Sequence, residues 1–174
     1  MSNAFGVVSF GGNNVNVEGL QEYRAVGSIS FLGRYRLIDF PLSNMTNSGI
    51  DNIQLFVNKD PRSIVGHVGT GRHYNINSKR GELNVLFSDE ATNSIYNHDI
   101  AAFYANRDEI EDMPQKYVVI ATNYMIYSLD YNDVIDAHMT TGADITMVYK
   151  TVDNAKEAFI GCDTLVLNKQ KGVQ

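Results

Sequence analysis

Strand-like and helix-like segments alternate along this chain, and the alternation predicts a predominantly parallel, three-layer α/β sheet. Two further observations agree. Phe5-Gly-Val-Val-Ser-Phe10, Ile53-Gln-Leu-Phe-Val57 and Tyr117-Val-Val-Ile-Ala121 are short continuous apolar runs, the pattern of strands covered on both faces. Glycines stand where elements should end, at Gly11-Gly12, Gly49, Gly69, Gly71 and Gly142.

Taken in order, Phe5–Phe10 is the first strand and Gly11-Gly12 ends it. Residues 13–30 hold no sustained period and read as a long loop. Asp39 is a candidate N-cap with Pro41 tolerated in the first turn, and the helix runs through Leu42, Met45 and Thr46 to Gly49 at C′. Ile50 and Ile53–Val57 give the next strand, Pro61–Val68 a helix closed by Gly69-Thr-Gly71, and Glu82–Phe87 a strand. Ile100-Ala-Ala-Phe-Tyr104 and Ile110 lie on one helical stripe and place 99–112 in one helix with an acidic outer face. Tyr117–Ala121 is a buried strand, Asp130–Thr141 a helix ending at Gly142, and Asp144–Lys150 a strand. Thr164–Asn168 reads as a strand entering a tight turn at Lys169–Gly172, so the sequence is expected to be a piece of a longer protein. Sheets of this kind bind ligands beyond the carboxyl ends of their strands, where Gly11-Gly12 and Thr122-Asn123 both fall.

At 174 residues and 44% hydrophobic, the chain can bury the core of one ordinary domain. A net charge of -6 argues against a nucleic-acid backbone as principal partner. Residues 1–81 carry eight Lys/Arg against five Asp/Glu, and 82–174 carry six against fifteen, so the first half suits a small anionic ligand or simply presents an unevenly charged face. Cys162 is the sole cysteine, which excludes an intramolecular disulfide. With no apolar run of membrane-spanning length and no leader pattern, a soluble cytoplasmic protein is expected, with no membrane partner. The four histidines are too scattered to suggest zinc.

Phe31-Leu-Gly-Arg-Tyr-Arg-Leu-Ile-Asp-Phe-Pro-Leu-Ser-Asn-Met-Thr-Asn-Ser-Gly-Ile50 resembles the F-G-G-[KR]-[YF]-R-[IL]-I-D-F-x-L-S-N-x-x-N-S-G-I segment of ADP-glucose pyrophosphorylases, the glucose-1-phosphate adenylyltransferases of glycogen and starch synthesis. The resemblance covers roughly residues 5–150, is strongest in 31–50, and is closest to the non-catalytic regulatory subunit of the bacterial enzymes. It implies a Rossmann-like nucleotidyltransferase domain with a mixed, mainly parallel sheet, of which 5–174 would be the N-terminal part. The rest of that domain and a C-terminal left-handed β-helix would follow.

Adenylyl transfer must hold a polyanion and neutralise the charge growing on pyrophosphate, which calls for backbone amides, cationic side chains and carboxylate-held Mg²⁺. The family's G-G-x-G-T-R-L-x-x-L-T-x-x-R-A-K-P-A loop aligns without a gap on Gly11–Ser28. Gly11, Gly12, Leu20, Arg24 and Ala25 agree, whereas Asn14 replaces the third glycine, Asn16 the catalytic Arg and Val26 the Lys. The nucleotide-binding positions implied are Gly11, Gly12, Asn13, Asn14 and Asn58, the last standing where the family has an adenine-edge glutamine. The G-T-A-D-A-V segment falls on His98–Phe103 without its glycine and aspartate. In the metal segment, Thr122-Asn-Tyr124 replaces S-G-D, which puts Tyr124 at the Mg²⁺ carboxylate and leaves Asn123 as a neutral oxygen. The resemblance therefore implies a catalytically deficient chain with no metal of its own, Mg²⁺ entering only if activity survives.

Arg34 and Arg36, flanking Tyr35 before a helix, suit a phosphate, a partner's carboxylate or a surface salt bridge. His67 and His138 match family histidines and read as packed residues more readily than as catalytic bases. Expected partners are a catalytic paralogue in a hetero-oligomer and a nucleotide or sugar phosphate. An active enzyme with a divergent site, or a nucleotide or sugar sensor on the same fold, are the alternatives.

Overall fold

A computed structural model describes residues 3–10, 19–20, 24–57, 61–76, 79–87, 99–159 and 162–168. The main sheet has strands β1 (Ala4–Ser9), β4 (Ile53–Val57), β5 (Leu83–Phe87) and β6 (Tyr117–Thr122) in the order β5-β4-β1-β6, and every pairing is parallel. A small antiparallel hairpin joins β2 (Ser30–Phe31) to β3 (Tyr35–Arg36). The helices are α1 (Asp39–Asn47), α2 (Pro61–Val68), α3 (Asp99–Ala105), α4 (Arg107–Glu111), α5 (Tyr131–Thr141) and the single turn α6 (Ala155–Ala158).

The period-two geometry of the strands divides their side chains between two cores. Val8, Ile53, Leu55, Val57 and Ala121 point to the face covered by Leu42 and Met45 of α1, Ile64 and Val68 of α2, and Tyr131 of α5. Phe5, Val7 and Phe56 point to the other face, covered by Ala102 and Phe103 of α3 and Ile110 of α4. Phe56 is fully buried with its ring edge-on to Phe103 at 5.2 Å. Burial on both sides explains the unbroken apolar reading of β1 and β4, and the three-layer α/β architecture follows.

Helix α1 closes as its sequence predicts. Gly49, at φ 75°, sits at C′; its N–H donates to the Thr46 carbonyl at 3.0 Å and that of Ile50 to the Met45 carbonyl at 3.0 Å. Its start differs from expectation. Ile38 is the N-cap and Asp39 the first helical residue. Ile38 is buried and its N–H is held by the Gly27 carbonyl at 3.1 Å, so tertiary packing outweighs the capping preference of Asp39. By contrast, Asp130 caps α5 as predicted, its carboxylate accepting the Asn132 N–H at 2.9 Å, and Gly142 ends that helix in the left-handed region.

Four further expectations are corrected. The helix over 99–112 is two, because Asn106 breaks it: its Nδ2 donates to the Ala102 carbonyl at 2.9 Å and so competes with the helical ladder. Residues 144–150 form no strand, and Ile145, Met147, Val148 and Tyr149 are exposed. β-Propensity has little effect without a neighbouring strand, and none pairs there among the described residues. Leu167 forms one isolated bridge where a strand over Thr164–Asn168 was expected, and Lys169–Gly172 lies outside the described residues. Ile50 precedes β4 rather than joining it.

Candidate functional site

The connection from β1 leads to β4 on one side, while β6 adds on the other, so the strand order reverses between β1 and β6. Parallel α/β sheets take ligands at such a switch point, beyond the carboxyl ends of the strands. Here those ends are Ser9 and Thr122, paired in register, and the Asn123 N–H donates to the Ser9 carbonyl at 2.8 Å. Ser9 Oγ lies 3.4 Å from Asp99 Oδ2. Asn123 is 2% exposed, and its Oδ1 is buried without a hydrogen-bond partner among the described residues.

A 3₁₀ turn, Val26–Ser28, stands over that end of the sheet. It is fixed by the Ser28 N–H and Oγ, which donate to the Ala25 carbonyl at 2.9 and 2.7 Å, and by the Ile38 N–H on the Gly27 carbonyl. A Cβ on Gly27 would stand 3.2 Å from Asn123 Cγ, so turn and amide are in contact. Val26 is half-buried and offers no charge. Tyr124 is half-buried too; burial pushes its phenol above the ordinary value, and the carboxylates of Asp163 and Asp99 push it further. A phenol held protonated does not fit Mg²⁺, which prefers carboxylate and phosphate oxygens. The buried Asn123 oxygen does not fit it either. Among the described residues no three His, Cys, Asp or Glu side chains converge.

The remaining predicted residues divide. Gly11, Gly12, Asn13, Asn14, Asn16 and Asn58 lie outside the described residues. Arg34 is exposed, its guanidinium 5.6 Å from the centre of the Tyr35 ring. Arg36 turns inward, Nη1 donating to the Ser63 carbonyl at 2.6 Å and to its Oγ at 2.9 Å. The two arginines thus have different neighbours, and Arg36 is engaged in joining β3 to α2. His67 is no isolated packed histidine, since it meets Asp39, and Tyr74 meets the same carboxylate. His138 contacts Thr146 Oγ1 at 2.8 Å and the Tyr117 ring edge-on. Sequence reasoning missed Tyr74, Ser9 and Asp99, whose partners are remote in the chain.

The geometry defines an α/β protein whose parallel sheet reverses its strand order between β1 and β6. The nucleotidyl transferase family model matches residues 11–162, and the chain belongs to that family. It is similar to the glycogen biosynthesis protein GlgD of Geobacillus stearothermophilus, 36% identical over 138 residues that cover 76% of this chain and 39% of that protein. It is also similar to the glucose-1-phosphate adenylyltransferase of Halalkalibacterium halodurans, 35% identical over 144 residues, 82% of this chain and 38% of that enzyme. The chain therefore spans about two fifths of the length of these relatives. In fold it matches the crystal structure of a putative glucose-1-phosphate thymidylyltransferase from Bacillus anthracis in complex with a sucrose. The TM-score is 0.61 at 15% identity, over 79% of this chain and 50% of that one. No helix among the described residues is long and apolar enough to cross a membrane.

Proposed function

We propose that this chain is part of a regulatory, catalytically deficient subunit of a glucose-1-phosphate adenylyltransferase. It would support the synthesis of ADP-glucose from ATP and glucose 1-phosphate for glycogen, in partnership with a catalytic paralogue in the cytoplasm. The observation that carries this reading is the chemistry at the switch point. By the resemblance, Val26 and Tyr124 stand where the family has a cation and a carboxylate, and they offer a methyl pair and a protonated phenol instead. Asn16 replaces a second cation in the sequence. Mg²⁺, where bound, supplies charge neutralisation to phosphoryl chemistry; this chain's residues contribute packing and hydrogen bonds instead. Loss of one charge-stabilising group typically costs about 2.7–4 kcal/mol in the transition state, and several absent together leave little rate enhancement. Similarity to both GlgD and the adenylyltransferases supports the pathway.

The test is ADP-glucose formation by the full-length protein alone and then mixed with its catalytic paralogue. Alone it should fall far below the median enzyme turnover of about 10 s⁻¹. With the paralogue it should form a complex and change the maximal rate or effector response by about 5–150-fold. Neither complex nor kinetic change would reject the regulatory role. An active enzyme with a divergent site is the second reading, favoured by the Asp99 and Asp163 carboxylates beside Tyr124, and substantial turnover by the protein alone selects it.

A further inference from the structure

We propose that the Asn123 side chain closes the ligand crevice of this sheet, so that the chain excludes nucleotides which a smaller residue at that position would admit. The position follows from topology. The crevice of a doubly wound sheet opens where the strand order reverses, here between β1 and β6, and Asn123 is the residue that follows β6 there. Its backbone already ties the two strand ends together through the Ser9 carbonyl at 2.8 Å. Its side chain therefore has nowhere to go but the space between the strand ends and the turn above.

That space is filled. Asn123 is 2% exposed, and a Cβ on Gly27 would come within 3.3 Å of its Cβ and Nδ2 as well as 3.2 Å of Cγ. The turn is not a loose flap: the Gly27 carbonyl holds the Ile38 N–H at 3.1 Å and the Ile29 carbonyl holds that of Leu37 at 3.2 Å. Among the described residues, Oδ1 accepts no hydrogen bond in this buried place. An amide retained there without a bonded acceptor acts as volume. The groups around it add to the exclusion, because Ser9 leans on Asp99, and Asp163 and Asp99 both act on Tyr124. Carboxylates repel a polyphosphate. Asn123→Gly removes the whole amide while sparing the backbone bond to Ser9, so it opens the crevice without untying the strands.

The inference takes from the proposed function only its choice of probes, ADP-glucose and ATP with Mg²⁺. Binding of each to the full-length protein, Asn123→Ala and Asn123→Gly is measured by titration calorimetry, with circular dichroism reporting the fold. The unaltered protein should show no saturable binding at millimolar probe, and Asn123→Gly should bind at least about tenfold more tightly, with Asn123→Ala between. Equal binding by the unaltered protein and the glycine variant overturns the proposal. So does an absence of binding by natively folded variants, since something other than Asn123 then closes the site. Should the glycine variant unfold, Asn123→Ala decides by the same comparison. Catalysis and complex formation enter none of these readouts, so the regulatory reading stands or falls separately.

Discussion

The imidazole Nε2 of His67 lies 2.6 Å from Oδ1 of Asp39, and the two residues belong to different helices. The same oxygen accepts the Tyr74 hydroxyl at 2.6 Å, while Oδ2 accepts the Arg36 N–H at 2.8 Å. One carboxylate at the start of α1 thus gathers donors from α2, from the 3₁₀ turn Arg72–Tyr74 and from β3. The His67 and Asp39 side chains are 25% and 14% exposed, which leaves the clasp only partly screened by water.

Removal of that carboxylate should loosen all three elements. Asp39→Ala is expected to cost about 1–3 kcal/mol, because it strands donors that are largely out of water. In a cycle with Tyr74→Phe, the coupling should fall within about 0.5–3 kcal/mol. Urea midpoints of the two single variants and the double variant measure it, and simple additivity would contradict the shared acceptor.

Stability should also decline in strong alkali. Burial raises the phenol of Tyr74, and its hydrogen bond to Asp39 adds to that. Burial likewise raises Tyr127 and Tyr131, whose hydroxyls meet each other. A phenol raised above its unfolded value of 10.0 contributes stability that is fully present below that pH. The contribution is lost as pH climbs from there toward the folded value. Unfolding midpoints should therefore fall above pH 10, and less steeply in the Tyr127→Phe, Tyr131→Phe double variant. A level profile well into alkali would refute the burial of these phenols.

Leu32 occupies the left-handed region at φ 52° and is 81% exposed at the tip of the β2–β3 hairpin. A branched side chain there is strained and packs on nothing that would offset the strain. Leu32→Asn should raise stability by about 1 kcal/mol, read as a higher melting temperature. A lower one would mean that this leucine has a contact in solution.

Ser48 joins two helices that lie 83 positions apart in the sequence. Its Oγ donates to the Asn44 carbonyl at 2.8 Å and accepts the Tyr131 N–H at 2.8 Å, fixing the start of α5 on α1. Ser48→Ala leaves that buried N–H unmet, at a cost of about 1–3 kcal/mol. Faster hydrogen exchange at the Tyr131 amide, confined to the start of α5, is the signature expected.

Much of this was legible beforehand where the cause is local. Pro61 and the glycines after Val68 bound α2 as printed in the sequence, and Asp130 and Gly142 bound α5, because caps act within a few residues. The doubly buried strands β1 and β4 were legible from composition alone, whereas Tyr117–Ala121, read the same way, leaves Val118 and Ile120 of β6 exposed. What escaped is non-local. Asp39 meets partners 28 and 35 positions away, a pairing that no period encodes. Residues 144–150 carry a strand's composition without a neighbour to pair with, and the Asn106 break depends on one side chain turning back on its own helix. Val26 and Tyr124 could be set against the family pattern directly, whereas the seating of Asn123 beneath Gly27 required coordinates.

The strand order also sets a timetable for synthesis. β1 can zip to β4 and β5 early, yet its other edge waits for β6, whose first residue, Tyr117, lies sixty positions after Val57. At ribosomal speeds of about 5–20 residues per second, that edge stays open for roughly 3–12 s. Val7 and Phe5 lie along it, and Ala102, Phe103 and Ile110, which cover that face, emerge only late in the interval. A nascent chain is therefore most vulnerable to sticking or chaperone capture after β5 has emerged and before β6 arrives.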